Sequence, residues 1–203
     1  PIDQIDRIVS NAETLALADE IATKAITLVR AENRDLPLDR SKKIAVIGIS
    51  NGFDGGAVMN PFTGTLRSNG LKFTQAYLQE NSSPQQGEAG RKVVNESDVV
   101  IVGLYGRVRS GARNSVGVPE NGAAILRELL ASNKKVIGIS FGNPYVLGSF
   151  PGMKTYLVAY GDMLSLQRAS ARSILGLQDI TGRLPITLPG LHPRSTGIQL
   201  MKK

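Results

Sequence analysis

A serine, two aspartates and the only histidine of the chain are spaced so that they could form a hydrolytic triad. Residues 138–142 match the pattern G-x-S-x-G, in which the central serine, here Ser140, is a nucleophile at the end of a strand. Asp162 or Asp179 and then His192 follow in the chain order of α/β hydrolases. A small serine esterase is therefore one hypothesis. Against it, the turn-forming residues come three or four positions after Ser140, and prolines flank His192 in an irregular segment.

A second candidate is a basic loop that contains Arg107, Arg109 and Arg113. No acidic residue occurs between positions 99 and 119. The loop follows a predicted strand, so we expect it at the carboxyl edge of the sheet, where ligands bind in open α/β folds. Three guanidinium groups could hold a carboxylate or a phosphate, or contact another protein surface. A stand-alone module that binds anionic glycans is therefore a further hypothesis.

Other chemistries are disfavoured by composition and spacing. The chain has no cysteine and one histidine, which excludes cysteine nucleophiles and multi-histidine metal sites. The glycines between 48 and 56 match neither a dinucleotide-binding loop nor a phosphate-binding loop. We expect a long flexible loop there, because Pro61 and Gly64 disfavour a prompt helix. No pair of carboxylates has a spacing that indicates glycoside hydrolysis.

Alternating strand and helix patterns indicate the fold. Four apolar segments rich in β-branched residues are typical of strands buried on both faces of a parallel sheet; they are 43–50, 98–104, 135–141 and 155–160. Helical patterns cover residues 11–33, 88–96, 120–132 and 164–175. Weaker strand signals occur at 70–77 and at 184–188. This alternation predicts a three-layer α/β sandwich with a mostly parallel sheet. We expect a linker end at 1–10, the sandwich at 11–190 and a tail at 191–203.

The charge and hydropathy of the chain bear on its partners. It has 24 basic and 17 acidic residues, a net charge of +7, so nucleic-acid binding has to be considered. No run of five basic residues occurs and aromatic residues make up only 5%, which disfavours binding to nucleic acids. The longest apolar runs are far shorter than the roughly 20 residues that span a bilayer, so no membrane span is expected.

The chain resembles the C-terminal domain of glycoside hydrolase family 3. The resemblance rests on residues 18–38 followed by KKIAVIG, on 136–176, which include FGNPY and YLVAYGD, and on ITGRLPITLPG at 180–190. It extends from about residue 10 to residue 200, and it is greatest for the bacterial β-N-acetylhexosaminidase branch. The resemblance implies an α/β sandwich of about six strands that follows a TIM-type barrel in the same polypeptide.

The resemblance also implies that the catalytic groups lie outside this chain. The family's nucleophile is an aspartate of the barrel, and the hexosaminidase branch takes its acid/base from a histidine in a barrel loop. The β-glucosidase branch instead takes a glutamate from a loop that corresponds to residues 110–113, where this chain has no glutamate. That departure favours the hexosaminidase branch. We therefore carry over no catalytic residue, and the resemblance implies no metal and no cofactor.

These observations predict the non-catalytic C-terminal domain of a retaining β-N-acetylhexosaminidase that acts on peptidoglycan or chitin fragments. Its expected partners are the barrel of the same polypeptide and a glycan substrate at the interface of the two domains. We expect the isolated chain to hydrolyse nothing. The residues that we expect near the substrate cleft or the barrel lie in two carboxyl-edge loops; they are Asn51, Asp54, Arg107, Arg109 and Arg113.

Overall fold

The computed structural model describes residues 4–32, 35–53, 55–111 and 116–202. The helices of this part are α1 (Ile5–Val9), α2 (Ala12–Ala25), α3 (Asn60–Ser68), α4 (Pro84–Asn95), α5 (Glu120–Ala131) and α6 (Leu164–Ile174). The strands are β1 (Thr27–Ala31), β2 (Ile44–Ser50), β3 (Thr74–Leu78), β4 (Val99–Tyr105), β5 (Lys135–Ser140) and β6 (Thr155–Val158). Two 3₁₀ helices occupy Gly56–Met59 and Pro144–Ser149.

The six strands form one sheet in the order β1-β6-β5-β4-β2-β3. Strands β2 to β6 run parallel, and β1 at one edge is antiparallel to β6. Every residue of β2 and β4 is buried, as expected of central strands that are covered on both faces. The structure thus confirms an α/β fold with a mostly parallel sheet of six strands. The strands predicted at 43–50, 70–77, 98–104, 135–141 and 155–160 correspond to β2, β3, β4, β5 and β6.

Helices cover both faces of this sheet. On one face α6 contacts α2 and α3, and Phe62, Leu66 and Ile174 belong to the apolar cluster there. On the other face α4 contacts α5, and Val94 and Leu126 belong to a second cluster. Burial of apolar surface in two such layers is the main term that stabilises a fold of this kind. The predicted helices at the positions of α4, α5 and α6 are confirmed. No helix in the described part of the chain is long and apolar enough to cross a membrane.

The helix predicted over residues 11–33 is wrong in its second half. Its start is as expected, because Asn11 caps α2 by accepting the backbone N–H of Thr14 at 2.9 Å. The helix then ends, and β1 follows at once and pairs with β6. Leu28 of β1 is almost fully buried in the sheet. Such burial outweighs the weak helical preference of a short segment, so the apolar spacing was misleading. Residue 33 lies outside the described residues.

The glycine-rich segment after β2 is not the long flexible loop that its composition predicts. A 3₁₀ helix and then α3 follow β2. Pro61 lies in the first turn of α3, where its missing N–H costs no helical hydrogen bond. Phe62 and Leu66 of α3 are fully buried, so packing against the sheet holds this helix in place despite Gly64.

The strand predicted at 184–188 is also wrong. Leu188 makes only an isolated bridge with His192, and no ladder forms. The residues that follow lie beside the edge strand β1. There Ile198 donates its backbone N–H to the carbonyl of Leu28 at 2.8 Å. The end of the described chain therefore hydrogen-bonds to β1. The division into linker end, sandwich and tail stays a prediction.

Candidate functional site

The loops after β2 and β4 are joined at the carboxyl edge by one buried asparagine. Asn51 accepts the backbone N–H of Arg107 at Oδ1 (3.0 Å) and donates from Nδ2 to the carbonyl of Arg107 (2.8 Å). β2 and β4 are neighbours in the sheet, and their last residues lie side by side, so the two loops emerge together. A side-chain amide suits this position because it carries both a donor and an acceptor.

The side chain of Arg107 extends from this junction to the loop after β6. Its Nε and Nη2 lie 2.7 and 2.6 Å from Oδ2 of Asp162. The backbone carbonyl of Asp162 in turn accepts from Nε2 of Gln167 at 2.6 Å, and Gln167 is buried in α6. Oε1 of Gln167 also accepts the backbone N–H of Phe62 at 3.3 Å. Arg107 therefore connects loops on both sides of β5.

Arg109 covers the outer side of the same junction. Its Nη1 donates to the backbone carbonyl of Asn51, and its guanidinium carbon lies 4.6 Å above the centre of the Phe53 ring. Phe53 is 56% exposed, so the ring and the guanidinium form a flat exposed surface. A guanidinium held in this way has further N–H groups with which to contact a carboxylate, a phosphate or a hydroxyl.

The structure brings together three of the five residues that the sequence indicated. Asn51, Arg107 and Arg109 lie in one hydrogen-bonded cluster. Asp54 and Arg113 lie outside the described residues. The sequence pattern indicated Asp162 only as a possible triad acid, and not as the ion-pair partner of Arg107. The rule that parallel strands end at one edge could have indicated this role, because Asp162 closely follows β6 as Arg107 follows β4.

Close backbone packing shapes the loop after β5. A Cβ atom on Gly142 would lie 2.2 Å from the carbonyl oxygen of Gly106, so the two loops could not approach as they do with any other residue at position 142. Ser140 donates from Oγ to the carbonyl of Asn143 at 2.9 Å. The cavity lined by Ser140 and Asn143 has a volume of only about 10 Å³. That space holds at most one water molecule, so a substrate cannot reach Ser140 there.

The proposed triad is not assembled. Ser140 ends β5 at the carboxyl edge, whereas His192 accepts at Nε2 from Nε of Arg30 at 2.9 Å. The guanidinium of Arg30 also donates to the carbonyls of Pro151 and Met153. These two residues precede β6, so they lie at the end of the sheet where the parallel strands begin, far from the carboxyl end of β5. A nucleophile must lie within hydrogen-bond reach of its base, so the serine esterase hypothesis has no support in this structure.

The carboxylates described at this edge are not arranged for glycoside hydrolysis. Asp162 is held by Arg107, and Glu120 is held by Arg127 at 2.8 Å. This partner lowers the pKa of Glu120, whereas a glycosidase acid needs a raised pKa. Glu80 follows β3, four strands from β6, so about 19 Å of sheet separates its strand from that of Asp162. A glycosidase pair is only about 5–9.5 Å apart.

Burial keeps the tyrosine beneath the site neutral. Tyr105, the last residue of β4, is almost fully buried, and its hydroxyl donates to Oε1 of Gln167 at 3.4 Å. Burial raises the pKa of Tyr105, and the nearby charge of Asp162 raises it further. Tyr105 therefore acts as a neutral donor to Gln167. Among the residues that the structure describes, no group of three acidic or histidine side chains could bind a metal ion.

Solved structures with the same fold come from carbohydrate-active enzymes. A glycoside hydrolase family 3 beta-N-acetylglucosaminidase from Paenibacillus sp. str. FPU-7 is similar over 92% of this chain, with a TM-score of 0.70 and 21% identity. Beta-glucoside phosphorylase BglX is similar over 93%, with a TM-score of 0.70 and 23% identity. A beta-glucosidase from Listeria innocua is similar over 87%, with a TM-score of 0.70 and 18% identity. At these identities the likeness concerns the fold alone.

The chain spans only part of these proteins, namely 34% of the length of the first two and 27% of the third. A comparison with curated protein sequences found no match. The family model described as "Glycosyl hydrolase family 3 C-terminal domain" matches residues 26–197, which is most of the chain. The chain therefore belongs to the glycosyl hydrolase family 3 C-terminal domain family.

Proposed function

We propose that the chain is the non-catalytic C-terminal domain of a retaining β-N-acetylhexosaminidase that acts on peptidoglycan or chitin fragments. The catalytic residues would lie in a barrel domain that precedes it in the same polypeptide. The family supports a pairing with a catalytic domain, and one of its similar structures is named a beta-N-acetylglucosaminidase. Beta-glucosidases are equally similar in fold, so the choice of branch depends on the site.

The observation that carries the choice of branch is the chemistry of the loop after β4. Residues 106–119 contain no acidic residue, whereas the resemblance described above implies a catalytic glutamate in this loop in the β-glucosidase branch. The described part of this loop instead carries two basic side chains, Arg107 and Arg109. Both are occupied in joining loops, so they suit a positioning role rather than proton transfer, because a guanidinium does not give up its proton.

The cluster of Asn51, Arg107 and Arg109 would support the glycan cleft from the side of this domain. Its hydrogen bonds fix the loops after β2 and β4, and the Phe53–Arg109 surface is the exposed part. Rigid loops on a sheet edge are a usual location for groups that position a ligand. No metal or cofactor takes part in the proposed role.

The non-catalytic role is tested by assaying the 203-residue chain on an aryl β-N-acetylglucosaminide. We expect no turnover above the rate in buffer. The matched sample is the longer native protein, which should release the aryl group. Turnover by the 203-residue chain would overturn the proposal, and so would reaction of Ser140 with a fluorophosphonate probe.

The positioning role is tested in the longer protein with Arg109→Gln. We expect KM to rise about three- to tenfold with kcat unchanged, because a uniform binding contact is lost. The matched control is Arg127→Gln, which removes an exposed guanidinium on α5 that, among the described residues, forms its ion pair with Glu120. Equal KM values for the two variants would show that Arg109 does not face the glycan.

A further inference from the structure

The parallel strands begin at the amino edge of the sheet, opposite the carboxyl edge that bears the candidate site. A sequence feature is repeated along this amino edge. Four of the five parallel strands begin at, or within two residues of, a lysine. These are Lys42-Lys43 before β2, Lys72 before β3, Lys134-Lys135 at β5 and Lys154 before β6. The fifth, β4, follows Asp98. The strand order β6-β5-β4-β2-β3 places these lysines in a row. At about 4.8 Å between neighbouring strands, the row extends over about 19 Å.

The lysines line a continuous groove. Three adjoining cavities of about 370, 540 and 680 Å³ follow the amino edge from β6 to β3. The first and second share Lys134 and Lys135, and the second and third share Lys42 and Ser97. Within the described part of the chain, seven basic and two acidic side chains line them. The side chains that line the groove therefore carry an excess of positive charge.

Internal partners neutralise part of this charge. Hydrogen bonds from Ser41 lower the pKa of Asp39, and the positive charges of Lys42 and Lys135 help to lower it further. Lys135 pairs with buried Asp35 at 3.2 Å, and Lys134 donates to backbone carbonyls, so these two have structural roles. Lys43, Lys72 and Lys154 are exposed, and none of them forms an ion pair with a described residue. Of the two acidic side chains that line the groove, Asp98 accepts the backbone N–H of Lys43 at 3.0 Å, and Glu96 lines the same cavity as Lys43 and Lys72.

The form of the groove indicates the kind of ligand. Point charges spaced over about 19 Å suit an extended chain that carries repeated anionic groups, rather than one small anion. Single-stranded nucleic acids would need aromatic side chains for base stacking. Phe73 is the only aromatic residue among the described residues that line the groove. Arg67 already covers its ring, with its guanidinium carbon at 4.7 Å from the ring centre. Membership of a carbohydrate-active family makes a glycan the natural polymer.

We propose that the groove at the amino edge of the sheet binds an anionic glycan chain, through carboxylate or phosphate groups that contact Lys43, Lys72 and Lys154. The groove lies across the sheet from the Asn51–Arg107 cluster. Such binding would hold the protein on an anionic polymer and requires no chemistry from this chain.

The test measures binding of the 203-residue chain to polygalacturonate and to dextran phosphate at low ionic strength, with neutral dextran and duplex DNA beside them. The groove variant combines Lys43→Gln, Lys72→Gln and Lys154→Gln. The matched control variant removes three positive charges elsewhere, with Lys24→Gln, Arg168→Gln and Lys202→Gln. Circular dichroism and the melting temperature check that each variant folds. If the groove variant does not fold, Lys154→Gln alone replaces it, compared with Lys202→Gln alone.

We expect at least one of the two anionic polymers to bind, and its affinity to fall about tenfold or more in the groove variant, because several modest ion contacts are lost together. The control variant should change it by less than about threefold. Binding to polygalacturonate alone would identify carboxylate as the anion, and binding to dextran phosphate alone would identify phosphate. Three results would overturn the proposal: no binding to either polymer, equal losses in the two variants, or binding to duplex DNA alone.

Discussion

At the scale of single residues, Asn51 and His192 each hold two segments together through one polar side chain. Asn51 joins the loops after β2 and β4, and its side chain satisfies both polar groups of the Arg107 backbone. His192 accepts from Arg30 and so ties the C-terminal segment to β1. The sequence indicated Asn51 as a site residue but could not show its pairing, because hydrogen bonds between distant loops leave no local pattern.

Asn51→Ala is expected to lower the free energy of unfolding by about 1–2 kcal/mol, because it removes both hydrogen bonds between the buried Asn51 side chain and the Arg107 backbone. Urea denaturation of the 203-residue chain measures the change. The control is Asn133→Ala, an exposed substitution that should stay within about 0.5 kcal/mol. Equal stabilities of the two variants would mean that Asn51 does not clamp the loops.

His192 is expected to make stability depend on pH. Its partial burial and the positive charge of Arg30 lower its pKa below the usual value of 6.5, while Glu32 opposes them. The folded state therefore favours neutral His192. The contribution is fully present above pH of about 6.5 and is lost as the pH falls through the lowered pKa. Urea denaturation at several pH values should show this loss, and His192→Gln should remove it. A pH dependence that is the same in the variant would assign it to other groups.

At the scale of elements, the sequence was most informative where burial and local pattern agree. The strands β2, β4 and β5 are continuous apolar runs, and α5 and α6 have one apolar face, so their positions followed from composition. β1 and α3 did not follow, because their conformation depends on packing against β6 and the sheet, which are distant in sequence. A window of local residues cannot contain that information.

Gly142→Ala tests how closely two of these elements pack. We expect a loss of about 1–3 kcal/mol in the free energy of unfolding, because the new Cβ would meet the carbonyl of Gly106 and force the loops after β4 and β5 apart. The matched control is Gly148→Ala, where an added Cβ meets no atom within 4 Å. The control should be neutral or slightly stabilising, since alanine restricts the unfolded chain. If both variants were equally stable, the close approach of these loops would be wrong.

At the scale of the whole molecule, the two edges of the sheet present different chemistry. The carboxyl edge has loops joined by Asn51, Arg107 and Asp162 and a Phe53–Arg109 surface. The amino edge has a row of lysines. We expect the first to face the catalytic domain and its glycan, and the second to face an anionic polymer. The family membership was anticipated from sequence resemblance, whereas the lysine groove becomes visible only when the strand order is known.

The central claim is that this domain works as part of a longer β-N-acetylhexosaminidase. The most direct measurement is to capture the native protein from its source cells with an antibody against this chain and to assay it on aryl β-N-acetylglucosaminide and aryl β-glucoside. We predict a protein larger by at least about 250 residues, the size of a TIM barrel, that cleaves the N-acetylglucosaminide faster. A protein of about 21.7 kDa, or one that prefers the β-glucoside, would contradict the account.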